Sequence, residues 1–254
     1  MKPIIIALAF TAFAALQSCQ KKQPSESAIS AKTKNLNTLT EEEKADGWEL
    51  LFDGSTLNGW KRYNSDTIGP LWIAKDGMIV CNGEGLTEGT KGIGGSLTTI
   101  RKFGNFELAA DWKISPGGNS GILYHVVEDP QFKHEYETGP EFQVLDDVGW
   151  KDKMTPAQAA GSNYDMYPAP ADKKLMPLGE WNTVRIIYNN GHVEHWLNGM
   201  KTVEFEEGSD DYETRYKKSK WTKYPGWNKS KTGSISLQDH GANVYYRNVK
   251  IKVL

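Results

Sequence analysis

Residues 106–114 read Phe-Glu-Leu-Ala-Ala-Asp-Trp-Lys-Ile, FELAADWKI. Phe106, Leu108, Ala110, Trp112 and Ile114 are apolar, and Glu107, Ala109, Asp111 and Lys113 fall between them. That is a period of two, the mark of a strand with one face in a core. Similar short runs recur along the chain at Trp48–Phe52, Trp72–Ala74, Met78–Cys81, Gly121–Val127, Glu141–Leu145, Val184–Tyr188, His192–Leu197, Ser234–Gln238 and Val244–Val253. Several are separated by hairpin signals: Asp76-Gly77, Asn190-Gly191 and Asn198-Gly199. Helical patterning is confined to Thr40–Lys44, with Thr40 as N-cap and Glu43 three residues on, and to a turn near Pro156–Ala160. About eleven short strands without helical crossovers predict antiparallel pairing. The class read from this pattern is all-β, a two-sheet antiparallel β-sandwich in jelly-roll order, with a closed barrel as the alternative. No internal repeat points to a propeller.

The chain has 254 residues. Lys2 precedes an apolar run from Ile4 to Leu16, too short for a span and suited to a signal h-region. The run closes on Leu16-Gln-Ser-Cys19, similar to a bacterial lipobox, which would make Cys19 the lipid-modified first residue and remove residues 1–18. The expected location is exported and lipid-anchored, in the periplasm or at the outer membrane, with the membrane met only through the lipid. Residues 19–46 are expected to be a flexible tether, polar and without aromatics from Gln20 to about Lys44. Residues 47–254 form a single expected domain. Cys81, the only other cysteine, follows Met78-Ile-Val80 and reads as a buried small residue. A net charge of −2 gives no reason to expect nucleic acid as a partner. Nine Trp and eleven Tyr suit sugar faces and sandwich cores alike.

Alternation sorts polar groups onto the faces turned away from the core. Asp111, His125, Glu141, Gln143, Gln238 and His240 fall there if their strands share a sheet. A solvated outer face is the ordinary state of such positions. That reading suits Asp111. His125 lies among Leu, Tyr and Val, where a solvated face more often carries Lys, Thr or Ser. In Ser234–Gly241, SISLQDHG, the strand ends on an amide, a carboxylate and an imidazole, and Asp239 either orients His240 or finishes the strand as a turn residue. The loop Ser115-Pro-Gly-Gly-Asn-Ser-Gly121 can bring Asn119 to a ligand. Asp146 and Asp147 read as a turn or as carboxylate partners of Glu141. His134 and His192 read as loop histidines without a role, and His195 as a histidine satisfied within its strand. No local zinc, EF-hand or hydrolase-elbow motif is present, and no nucleotide cofactor is expected. His125, Glu141 and His240 could hold a divalent metal as a two-His, one-carboxylate set.

Five segments occur in order: GWELLFDGSTLNGW (47–60), PGGNSGILYHV (116–126), TGPEFQVLDD (138–147), GEWNTVRIIYNNGHVEHWLNG (179–199) and SLQDHGANVYYRNVKIK (236–252). Together they resemble the 3-keto-disaccharide hydrolase family over residues 47–254. At His125 many members carry Arg, which implies a different substrate subgroup. The resemblance implies a concanavalin A-like or LamG-like sandwich in an exported lipoprotein. It also implies a carbohydrate substrate already oxidised at C3. The C3 ketone acidifies the C2 hydrogen, so a base can remove it and the enolate can expel the C1 substituent before water adds, or a net hydrolysis can follow. Glu141, His240, Gln143 and Asp239 are the expected catalytic groups, and Asn119, His125, Gln238 and Arg247 the expected substrate contacts. His240 or Glu141 could be the base. A metal on His125, Glu141 and His240, or else Arg247 with Gln143, could stabilise the enolate. The competing class is a non-catalytic carbohydrate-binding module on the same sandwich, and a third is a structural or adhesion domain.

Overall fold

The computed structural model describes residues 36–254, besides Met1. The signal peptide expected at 1–18, Cys19 and the tether up to residue 35 lie outside the described residues. Among the described residues no helix is long and apolar enough to cross a membrane.

Thirteen strands and two short α-helices are described. The strands are β1 (Trp48–Leu50), β2 (Trp60–Arg62), β3 (Trp72–Lys75), β4 (Met78–Asn82), β5 (Leu97–Thr99), β6 (Phe106–Ile114) and β7 (Asn119–Val126). They continue as β8 (Glu141–Leu145), β9 (Asn182–Asn189), β10 (His192–Leu197), β11 (Met200–Glu206), β12 (Ser234–Leu237) and β13 (Asn243–Val253). The helices are α1 (Glu41–Ala45) and α2 (Asp210–Lys218). All pairings are antiparallel. The larger sheet runs β11-β10-β9-β6-β13-β4-β3 with β1 on β13, and the smaller runs β2-β5-β12-β7-β8. This is the two-sheet sandwich that the alternation predicts.

β6 shows why. Phe106, Leu108, Ala110, Trp112 and Ile114 are all buried, and the four residues between them are half-buried on the outer face. Across the core stand Ile122 and Tyr124 of β7, Phe142 and Val144 of β8, and Ile235 and Leu237 of β12. Each such side chain contributes about 1.5–3 kcal/mol through burial. The three dipeptide turns form as two-residue hairpin loops, with both central residues at positive φ: Asp76-Gly77 (51° and 73°), Asn190-Gly191 (53° and 92°) and Asn198-Gly199 (49° and 80°).

The expected tether ends earlier than residue 46. Residues 36–46 belong to the folded unit. Asn37 is buried against β13: its backbone N–H donates to Asn248 Oδ1 (2.7 Å), its Oδ1 accepts from the Asn248 N–H (2.8 Å), and its Nδ2 donates to the Gly77 carbonyl (2.9 Å). α1 starts on the Thr40–Glu43 capping box, as its sequence predicts, and Glu43 and Asp46 pair with Lys250 and Lys252. A polar composition therefore served packing here rather than freedom. Asn37→Ala removes two side-chain bonds and leaves the Asn248 N–H unpaired. It is expected to lower unfolding free energy by about 1–3 kcal/mol in denaturant titration of the full chain.

Candidate active site

The outer face of the smaller sheet carries a cavity of about 150 Å³, lined by Glu88, Asn119, Tyr136, Glu141, Gln143, Tyr164, Lys220, Tyr224, Gln238 and His240. Five of the expected site residues, Asn119, Glu141, Gln143, Gln238 and His240, meet here. Their strands are neighbours: β8 pairs with β7, and β7 with β12.

Glu141 lies at the start of β8 and is 4 % exposed. Its carboxylate rests on Gly121 of β7, where a Cβ would lie 2.1 Å from Oε1. The backbone at Gly121 is that of an ordinary strand, so glycine is required there for space alone. Burial pushes the Glu141 carboxyl up to about 8, against the nearby Lys220 ammonium, which favours its charged form; the Glu135 and Glu88 carboxylates add to the rise. The outer edge of β8 is closed by residues 161–164: Gly161 N–H donates to the Gln143 carbonyl (2.9 Å), and Tyr164 N–H to the Glu141 carbonyl (3.0 Å). This brings the Tyr164 ring to the cavity. Gln143 holds its own amide in place, with Oε1 accepting from Val144 N–H (3.0 Å) and Nε2 donating to the Gln158 carbonyl (3.3 Å). Asn119 Oδ1 is buried without a protein partner, an acceptor left for a ligand.

His240 follows the end of β12. Burial pushes its imidazole below the ordinary value near 6.5. Its Nε2 is 3.6 Å from Glu88 Oε2, and Glu88 Oε1 is 3.6 Å from His134 Nδ1. Burial also raises Glu88, to about 7, with Asp239 adding to the effect. His134, to which the sequence assigned no role, thus sits beside the cavity, stacked on Tyr136 at 4.9 Å.

Asp239 does not line this cavity. Its carboxylate accepts backbone N–H groups from Gly95 (2.9 Å), Gly89 (3.3 Å) and Gly241 (3.1 Å), and its own N–H donates to Ser96 Oγ (3.1 Å). It pins the 87–95 loop that carries Glu88, so the expected catalytic group is a positioning one. Gly241 has φ 75°, and a Cβ there would lie 2.5 Å from the Leu86 carbonyl oxygen, which explains the glycine closing SISLQDHG.

Lys220 is the cation of the site. It opens a short 3₁₀ helix, Lys220–Lys223, anchored by its backbone N–H on Asp165 Oδ2 (2.7 Å). Its Nζ stands 4.3 Å from the Tyr164 ring centre, 4.5 Å from Trp221 and 5.7 Å from Tyr136. Burial lowers its pKa, against the Glu141 and Asp165 carboxylates, which hold its proton. Neither Lys220 nor Glu88 was legible. Both stand in loops outside any periodic pattern, and Ser-Lys-Trp-Thr-Lys-Tyr (219–224), a lysine among rings, was the only local signal.

Two expected site residues are elsewhere. His125 is fully buried on the core side, with Nε2 2.9 Å from the Gly104 carbonyl and its ring 4.3 Å from Tyr188 and 5.8 Å from Phe106. The cause is a bulge. The β7–β12 register slips between Ser234 and Ser236, and His125 takes φ 54°. Alternation then fails: Tyr124 and His125 both face the core, and Val126 joins Leu123 on the other side. Arg247 lies on the outer face of the larger sheet, its Nε 3.1 Å from Asp111 Oδ2 and its guanidinium 4.0 Å over Trp181.

The residues present do not fit the expected three-ligand metal set, because His125 is on the opposite side of the sheet from Glu141 and His240. Among the described residues the His and carboxylate atoms that converge, within 4.8 Å, belong to His192, Glu194 and Glu204 on the β10–β11 hairpin. There Lys201 already pairs with both carboxylates, at 3.4 and 2.6 Å. Asp146 is a turn residue, accepting from Gly117, Val148 and Gly149 N–H groups, and Asp147 pairs with Lys173 (2.9 Å). His195 is a core histidine beside Tyr124 and Phe142, held by burial to about 3.

Residues 47–252 match the family model described as the 3-keto-alpha-glucoside-1,2-lyase-like domain. The chain is 36% identical over 247 residues to a Bacteroides thetaiotaomicron protein named 3-keto-disaccharide hydrolase, covering 89% of this chain and 84% of that protein. Among solved structures, one from Parabacteroides distasonis ATCC 8503 is 42% identical with a TM-score of 0.77, over 86% of this chain and 99% of the other. A second from that organism is 26% identical with a TM-score of 0.57, over 78% and 100%. Both are named as candidate glycosyl hydrolases.

Proposed function

The chain belongs to the family of 3-keto-alpha-glucoside-1,2-lyase-like domains, and on that premise we propose that it cleaves 3-keto-glycosides by elimination and hydration in this cavity. The observation that carries the proposal is a pair of titratable groups, Glu141 buried and His240 half-buried, driven apart by the same desolvation. His240 is depressed, hence a neutral imidazole at neutral pH, and Glu141 is raised, hence a carboxylic acid. A base and an acid then coexist in one cavity with a cation, which is the set the chemistry needs.

In this reading His240 removes the C2 proton, α to the C3 ketone. The electron pair moves onto the C3 oxygen, where the Lys220 ammonium stabilises the enolate charge. The enolate collapses to form C1=C2 and breaks the C1–O bond, and the Glu141 carboxyl protonates the departing oxygen. Water then adds at C1, giving its proton to the Glu141 carboxylate, and the His240 imidazolium returns a proton to C2. The sum is one water consumed and one glycosidic bond cleaved. Asn119, Gln143 and Gln238 supply amides for sugar hydroxyls. The export signal and Cys19 would place the enzyme on a membrane by its lipid.

Incubation of the protein with 3-keto-glucosides should release the aglycone, and binding of unoxidised glycans without any such turnover would support a carbohydrate-binding module instead. The pH profile assigns the roles. With His240 as base, kcat/KM falls on the acid side, at a pH lower than an ordinary imidazole would set, because burial holds the imidazole's pKa down until it gains a proton. With Glu141 as acid, it falls again above about 8, where the proton it must donate is lost. His240→Ala should remove the acidic limb and lower kcat by about 10²–10⁴-fold. An activity that instead climbs through pH 8 would make Glu141 the base.

A further inference from the structure

The catalytic cavity does not end at His240. It shares Asn119, Gln143 and Tyr164 with a second hollow of about 180 Å³, whose further walls are Leu145, Trp150, Asp152, Lys153, Met154 and Gln158. The first cavity is polar throughout, suited to a ring bearing hydroxyls. The second adds an indole, a thioether and an aliphatic chain beside the charged side chains of Asp152 and Lys153. We infer that Trp150 is the floor of an aglycone subsite that takes a leaving group with a flat apolar face, either an aromatic ring or a second pyranose stacked by its C–H side.

Three observations support this. The Trp150 ring is half-buried and stands 6.0 Å from the His240 ring at 72°, so it borders the reacting position. Its backbone is fixed before any ligand arrives. Trp150 N–H donates to the Asp146 carbonyl (2.9 Å), and the Asp146 carboxylate accepts from Gly117 (2.8 Å), Val148 (3.2 Å) and Gly149 (3.0 Å) N–H groups. A Cβ at Gly149 would lie 2.2 Å from Asp146 Oδ2 and 2.7 Å from Gly117 N, so this loop is a tight fit rather than a loose excursion. Finally, the shared residues form the wall that also holds Glu141: Gln143 follows it by two in β8, and Tyr164 N–H is bonded to its carbonyl. The second hollow therefore opens off the wall that carries Glu141. A ring bound on a pre-positioned indole gains stacking energy with little ordering cost.

The inference rests on the proposed reaction for its name, and its test is separable from it. Wild type and Trp150→Ala are compared on 3-keto-glucosides with methyl, phenyl and glucosyl leaving groups. The variant should raise KM about three- to tenfold for the phenyl or glucosyl substrate and leave methyl within a factor of two. Whichever of the two responds identifies the aglycone class, and Trp150→Phe should restore most of the loss. An equal change on all three substrates overturns the subsite, because it would mean that Trp150 acts only through His240. If the wild type turns over none of them, the proposed function fails. The subsite is then decided by titrating phenyl β-glucoside and cellobiose into wild type and Trp150→Ala. Saturable binding weakened by the substitution supports it, and equal binding, or none to either, overturns it.

Discussion

Glu141→Gln is expected to lower kcat by about 10²–10⁴-fold while leaving KM nearly unchanged, and to make the protein more resistant to unfolding above pH 8. The substitution keeps the volume and the hydrogen-bonding capacity of the side chain but removes the proton that the leaving oxygen must receive. Substrate binding through the amides of Asn119, Gln143 and Gln238 is left in place. The stability effect has the opposite sign to the activity effect. A carboxyl whose folded pKa lies above its unfolded one holds its proton more tightly in the folded state. Its contribution to stability is full below about 4.5 and is lost as pH rises through about 8. Above that range the wild type must bury an ionised carboxylate beside Lys220, Glu135 and Glu88, and the glutamine need not. Thermal melts of both proteins at pH 5 and pH 9 check this. A wild type that gains on the variant as pH rises would mean that Lys220 outweighs the desolvation, and Glu141 would then be an ionised base.

Gly121→Ala is the second large effect. A methyl at 121 would lie 2.1 Å from Glu141 Oε1, 2.7 Å from its Cδ and 2.8 Å from its Cγ. The side chain must move, and the space open to it is the cavity where the substrate is proposed to sit. Displacing an acid by about 1 Å can cost on the order of 10²-fold in rate, and overpacking of this kind costs about 1–3 kcal/mol in stability. The decisive experiment is the double variant. If Gly121 acts through Glu141, adding Gly121→Ala to Glu141→Gln should lower kcat little further, whereas independent effects would multiply. Multiplying losses would refute the arrangement in which one glycine of β7 makes the space for one carboxyl of β8.

The same pair of residues shows where sequence reading works. Glu141 and Gln143 could be assigned to the outer face of β8 because the period of two holds through that strand. Gln238 followed from β12 in the same way, and His240 stays on that side although β12 ends at Leu237. His125 was misread because β7 is bulged. One residue at φ 54° reverses every face after it, and nothing in Gly-Ile-Leu-Tyr-His-Val announces the slip, which depends on how Ser234–Ser236 docks alongside. Arg247 failed differently. Its side chain is on an outer face, but β13 belongs to the larger sheet, and which sheet a strand joins is set by pairing across long separations in sequence.

The sequence by itself determined that this chain is an antiparallel sandwich with polar groups set on the outer faces of its strands. Strand period, turn dipeptides and core alternation are local, and each is written within about ten residues. Only the tertiary structure decided which polar groups share a cavity. Lys220, Glu88, Tyr136 and Tyr224 come from loops and short 3₁₀ turns, and the placement of two of them depends on distant anchors: Asp165 for Lys220, and Asp239 for the loop bearing Glu88. Burial then shifts Glu141 up and His240 down. That shift is a property of the assembled environment, because desolvation arises only when the surrounding chain has excluded water from the group.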